Sequence, residues 1–108
     1  MTREPSESLL ALVASAEFLD IALRRDGEWY GRAACRGASL AMFFVERPED
    51  ADDAKEVCSR CPVSMECLAS SLIANERSGI WGGVAEAERR RLRKVFRAAL
   101  SERRRNAA

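Results

Sequence analysis

The stretch Cys58-Ser59-Arg60-Cys61-Pro62-Val63-Ser64-Met65-Glu66-Cys67 sets three thiols within ten residues of a chain that holds four cysteines and no histidine. Thiols this close serve as disulfide halves, as ligands of zinc or of an iron–sulfur cluster, or as a redox-active pair with a spare. Pro62 suits the first turn of a helix, so the Cys58-x2-Cys61 pair lies at a turn with both sulfurs on one side of a common point. Cys67, about a turn and a half into that helix, can face back toward the pair. The fourth thiol must come from an upstream linker, which gives the pattern Cys35-x22-Cys58-x2-Cys61-x5-Cys67.

The rest of the chain limits what those thiols can be. At 108 residues it reads as one small domain with tails, and a domain this size gains much from a metal or disulfide staple. The N-terminal segment is interrupted by Glu4, Glu7, Glu17 and Asp20 and reads as neither signal peptide nor membrane span. The expected location is therefore a reducing cytoplasm, where clustered cysteines are more often ligands or redox groups than structural disulfides. With no histidine, a metal site is all-thiolate or recruits carboxylates.

Helical periodicity runs through the sequence, and no β-alternation appears. Ser6 or Ser8 can cap a first helix carrying Leu9, Leu12, Val13, Ala16, Leu19, Ala22 and Leu23, with a stop near Asp26-Gly27. A linker with Trp29, Tyr30, Cys35, Phe43 and Phe44 follows. Pro48 and the acidic run after it open a second helix that ends near Val57 and delivers Cys58. A third helix runs from Pro62 to about Asn75, with Cys67, Leu68, Ser71 and Leu72 on one face. The turn Ser78-Gly79-Ile80-Trp81-Gly82-Gly83 then leads to a fourth helix striped by Leu92, Val95, Phe96 and Leu100. The expectation is an all-α, four-helix domain in three segments: 1–28 an N-terminal extension, 29–85 a thiol-bearing core, 86–108 a basic helix.

Four soft thiolates suit zinc or an iron–sulfur cluster and exclude magnesium and calcium. One cysteine pair joined by two single cysteines is atypical of zinc ribbons and fingers, which leans toward a cluster without deciding it. A thioredoxin-like role for Cys58 and Cys61 lacks the βαβ context such a motif needs. The aromatic residues add a second signal. Two adjacent Phe in a linker and a Trp flanked by glycines are poorly placed for a helical core. They suit either an anchor for a partner or a shield over a metal group.

Taken together, Cys35, the CxxC-x5-C set, the turn Gly79-Ile80-Trp81-Gly82-Gly83 and the basic segment behind it resemble the WhiB-like family of actinobacterial regulators. The resemblance spans roughly Trp29 to Arg93, including Trp29 six residues before Cys35 and Phe43-Phe44 eight and nine after it. It implies a [4Fe–4S] cluster on Cys35, Cys58, Cys61 and Cys67. It further implies binding to region 4 of the primary sigma factor through Trp29, Phe43, Phe44, Gly79, Trp81, Gly82 and Gly83, a basic segment that reaches promoter DNA, and a response to nitric oxide or oxygen. Cluster-free family members have been assigned disulfide-reductase activity, so an apo reductase is one alternative and a zinc-stapled adaptor another; the leading reading is not an enzyme. Three departures stand out: Val45 follows the Phe pair where Pro is common, Val84-Ala85 offer no side-chain cap, and the tail has no Arg-Gly-Arg-Pro element.

Charge is strongly divided. Residues 1–88 carry nine basic and sixteen acidic side chains, whereas 89–108 carry nine basic against Glu102 alone. Arg89, Arg90, Arg91, Arg93, Lys94, Arg97, Arg103, Arg104 and Arg105 are the candidate DNA contacts, with a merely solvated helix end as the bland alternative.

Overall fold

The computed structural model describes residues 5–24 and 27–107. Within them are five α-helices, α1 (Glu7–Ala14), α2 (Ala16–Arg24), α3 (Asp52–Ser59), α4 (Ser64–Ala74) and α5 (Glu86–Ala107). Short 3-10 turns at Gly27–Arg32, Leu40–Phe43 and Pro48–Ala51 shape the segment between α2 and α3. The sole strand-like pairing among the described residues is an isolated bridge between Trp81 and Val84, so the all-α expectation holds.

The expected single N-terminal helix is two. Ser15 takes an extended conformation (φ −75°, ψ 152°), and its backbone N–H and hydroxyl both donate to the Leu12 carbonyl. The same Oγ accepts from the Phe18 N–H at 3.2 Å, so one serine closes α1 and opens α2. The bend lets Val13 and the Phe18-Leu19 pair reach one core. Ser6 caps α1 by accepting from Leu9 N–H. Of the expected stop at Asp26-Gly27, Asp26 lies outside the described residues.

Two apolar clusters result. The larger joins Val13, Phe18, Leu19 and Ala22 to Leu68 and Leu72 of α4 and to Leu92, Phe96 and Leu100 of α5. Phe18 and Phe96 meet edge to face at 5.8 Å, a geometry that adds ~1 kcal/mol beyond simple burial. α1 and α2 thus supply a wall of the main core. The smaller cluster gathers Phe43, Ala51, Ala54 and Ile80, with Cys35, Val57 and Cys58 packed against it.

Helix ends follow local chemistry. Asn75 takes a left-handed conformation (φ 59°) to finish α4, and the Glu76 N–H closes back onto the Ser71 carbonyl. At the start of α5 the missing side-chain cap is supplied from inside the helix. The Glu88 carboxylate accepts from the Ala85 N–H at 3.3 Å and from Lys55 Nζ at 3.1 Å, which also ties α3 to α5.

Candidate metal centre

The seam between the two clusters is where the thiols meet. Cys58 is the penultimate residue of α3, Cys61 lies in the connection to α4, and Cys67 sits in the first turns of α4. Cys35 arrives from the 27–45 segment through a turn held by the Ala38 N–H donating to its carbonyl. All four line one cavity of about 640 Å³, and all four are free thiols. Trp29, Phe43, Phe44, Val57, Ile80 and Trp81 give that cavity its largely apolar wall.

Backbone amides face the sulfurs. Ala34 N–H donates to Cys61 Sγ at 3.4 Å. The Gly82 amide lies against Cys67 and the Gly83 amide against Cys58, each favouring negative charge there. Gly82 and Gly83 both take a positive φ that favours glycine. A Cβ on Gly82 (φ +59°) would stand 2.5 Å from the Ser64 carbonyl oxygen, and one on Gly79 2.8 Å from the Phe44 ring.

Burial works against those amides. It pushes the Cys67 thiol up to about 12, with the neighbouring thiols adding to the rise, and it raises Cys58 in the same way. In the metal-free chain both therefore stay protonated at neutral pH, and a cationic group among them would reverse that preference. An all-sulfur donor set with amide donors at three of its sulfurs fits an iron–sulfur group, whose properties depend on such bonds and on exclusion of solvent.

The aromatic candidates divide by exposure. Phe43 is only 8% exposed and forms part of the smaller core, its carbonyl accepting from Ile80 N–H. It lines the cavity but presents no free face to a partner, which corrects its expected role as a surface anchor. Phe44 is 48% exposed, and Trp81 and Trp29 are half-buried at the cavity wall. Tyr30 (56% exposed) and Leu40 (74% exposed) line the same cavity. No sequence motif marks either as a contact, although Tyr30 adjoins Trp29 and stacks edge-on against it.

The basic candidates also divide. Arg89 is fully buried, and its guanidinium donates to the carbonyls of Gly79, Val84, Ser78 and Glu76. It is removed from the DNA-facing set. Arg93 is half-buried and donates to the Glu76 carbonyl at 2.8 Å. Arg103 donates to the Ala16 carbonyl and to the Asp20 carboxylate, holding α5 against α2. Arg90, Arg91, Lys94, Arg97, Arg104 and Arg105 are exposed. Arg90, Lys94, Arg97 and Arg104 form one ridge along α5, about 21 Å long at 1.5 Å per residue.

A family profile described as Transcription factor WhiB matches residues 29–92. The chain belongs to the WhiB family of transcription factors. Transcriptional regulator WhiB of Streptomyces coelicolor is 47% identical over 67 residues, covering 62% of this chain and 77% of its own. Transcriptional regulator WhiB2 of Mycobacterium tuberculosis is 43% identical over 67 residues, covering 62% and 75%. Transcriptional regulator WhiB1 of Mycobacterium tuberculosis is 43% identical over 72 residues, covering 62% and 86%. The WhiB match contains all four cysteines and the glycine turn. It leaves out α1, α2 and most of α5, which pack on one another. Among the described residues no helix is long and apolar enough to cross a membrane.

Proposed function

We propose that this chain is an iron–sulfur transcription regulator in which Cys35, Cys58, Cys61 and Cys67 hold a [4Fe–4S] cluster. The observation that carries the reading is that Cys35, from the 27–45 segment, and Cys58, Cys61 and Cys67, from the α3–α4 stretch, line a single apolar cavity. When bound, such a cluster supplies redox-active iron that reacts with nitric oxide or oxygen. The protein's part is to present four thiolates, direct the Ala34, Gly82 and Gly83 amides at sulfur, and keep water out with the buried Phe43 and Ile80.

The partner reading follows from the same wall. Trp29, Tyr30, Leu40, Phe44 and Trp81 surround the cavity, and a rim of large rings and an exposed leucine suits an apolar protein partner. We assign that partner as region 4 of the primary sigma factor, with Gly79, Gly82 and Gly83 shaping the turn that presents Trp81. The α5 ridge would then lie along promoter phosphates, where it contributes affinity rather than sequence reading. The protein would act in the cytoplasm.

Position argues against a reductase. A nucleophilic CxxC thiol is lowered by a helix N-terminus or a nearby cation, whereas Cys58 lies at the C-terminal end of α3 and burial raises it. Anaerobic co-expression with the primary sigma factor tests the whole reading. Co-purification with iron and sulfide supports it; a protein that purifies alone, or with a partner but without iron, refutes the sigma or the cluster assignment respectively.

A further inference from the structure

Arg89 has a role that nothing in its sequence position suggests. Among the described residues it is the largest fully buried side chain, and no carboxylate among them lies within salt-bridge distance of its guanidinium. Nη1 donates to the carbonyls of Gly79 (2.5 Å) and Val84 (2.8 Å), the two ends of the glycine turn. Nη2 donates to Ser78 (3.0 Å) and Glu76 (3.3 Å), in the approach to that turn. Nε is buried without a partner among the described residues. Burying a cation this way is costly, and the cost is tolerable only because four carbonyl dipoles converge on it.

Those carbonyls belong to the loop whose amides face the cysteines. Trp81 and Val84 bridge across it, and Trp81 Nε1 shares the Ser78 carbonyl with Arg89. The Gly82 amide faces Cys67; Gly83 comes so near Cys58 that an added Cβ would lie 3.4 Å from the Cys58 Cβ. Carbonyls of this turn therefore point inward to Arg89 while two of its amides face outward to sulfur.

We propose that Arg89 is a positioning residue that holds the Gly79–Gly83 turn against Cys58 and Cys67, linking the first turn of the basic helix α5 to the thiol site. A lysine cannot substitute, because one ammonium offers three donors at a point and cannot span carbonyls at both ends of the loop. The consequence for cluster retention rests on the iron–sulfur reading above; the positioning itself does not.

The test is hydrogen exchange by mass spectrometry on the full-length protein purified anaerobically, comparing Arg89→Lys, Arg89→Gln and Leu100→Ala with wild type. Leu100 is buried toward the far end of α5 and weakens the core without touching the turn. Both Arg89 variants should speed exchange across 79–84, relative to α5, by at least about tenfold, as expected for losing several buried hydrogen bonds. Leu100→Ala should leave that ratio unchanged. Wild-type exchange ratios in Arg89→Lys would overturn the proposal. If neither Arg89 variant folds, the wild type decides: 79–84 must exchange no faster than 89–96, and much faster exchange in the turn overturns it. Iron and sulfide assayed on the same samples separate the two readings. A wild type lacking both sinks the cluster assignment, while the exchange ratios still judge Arg89.

Discussion

Phe18 and Phe96 meet edge to face with their planes at 88°, and both lie outside the segment that matches the WhiB family. The helices that flank the family core thus complete each other's burial. This makes the N-terminal helices a support for α5, whose basic ridge is presented on a packed helix instead of a free tail. Replacing Phe18 with Ala should cost about 3–5 kcal/mol of stability in chemical denaturation, as for other buried Phe truncations. A loss below ~1 kcal/mol would mean that the N-terminal helices are not part of the cooperative unit.

Phe43 and Phe44 are adjacent but should fail in opposite ways. Phe43→Ala empties part of the smaller core and should destabilise the protein by about 3–5 kcal/mol, with loss of bound iron. Phe44→Ala should change stability by less than ~1 kcal/mol and instead weaken the sigma complex, measured by co-purification or titration. Trp81→Ala should likewise abolish the complex with iron content intact. If iron falls in parallel with binding, Trp81 serves as a shield for the thiols and not as an anchor.

For the α5 ridge, neutralising Arg90, Lys94, Arg97 or Arg104 should each lower the slope of log K against log salt for DNA by about one. Arg103→Ala should leave that slope nearly unchanged, because its guanidinium is committed to Asp20 and Ala16. It should cost no more than ~1 kcal/mol of stability, since the pair is substantially exposed. Equal slopes for the ridge variants and wild type would remove α5 from the DNA interface.

The metal-free protein should be alkaline-sensitive. With the Cys67 thiol pushed up to about 12, the unfolded chain ionises first as pH rises past the ordinary value of 9.0. Folding stability from this group is therefore full below that ordinary value and is lost progressively as pH climbs toward 12. Cys67 should also alkylate at pH 8 more slowly than a free cysteine, because burial keeps its thiol protonated and out of reach. Alkylation of Cys67 at the free-cysteine rate would show that it is not buried in solution.

Much of this was legible from residue pattern. The placing of α4 and the start of α5 followed from Pro62, Asn75 and the glycine turn, whose backbone chemistry is local, whereas Pro48 opens a 3-10 turn and α3 begins only at Asp52 and runs past Val57 to Ser59. The closeness of Cys58, Cys61 and Cys67 followed from their spacing, and with Cys35 they line one cavity. What escaped was non-local. Ser15 could be read as one more helical residue, because nothing nearby shows that its hydroxyl closes one helix and opens the next. Arg89 was indistinguishable from its neighbours within Arg89-Arg90-Arg91, since its burial depends on the fold of the glycine turn. Phe43 and Phe44 could not be separated either: which ring enters the core is set by the 3-10 turn at Leu40–Phe43 and by the contact with Ile80.

Iron and acid-labile sulfide per chain, measured on anaerobically purified protein together with its visible spectrum, test the central claim most directly. The account predicts a brown protein with about four irons and four sulfides per chain, bleached by nitric oxide and lost on Ser replacement of Cys35, Cys58, Cys61 or Cys67. A colourless protein that carries one zinc per chain and ignores nitric oxide would contradict it.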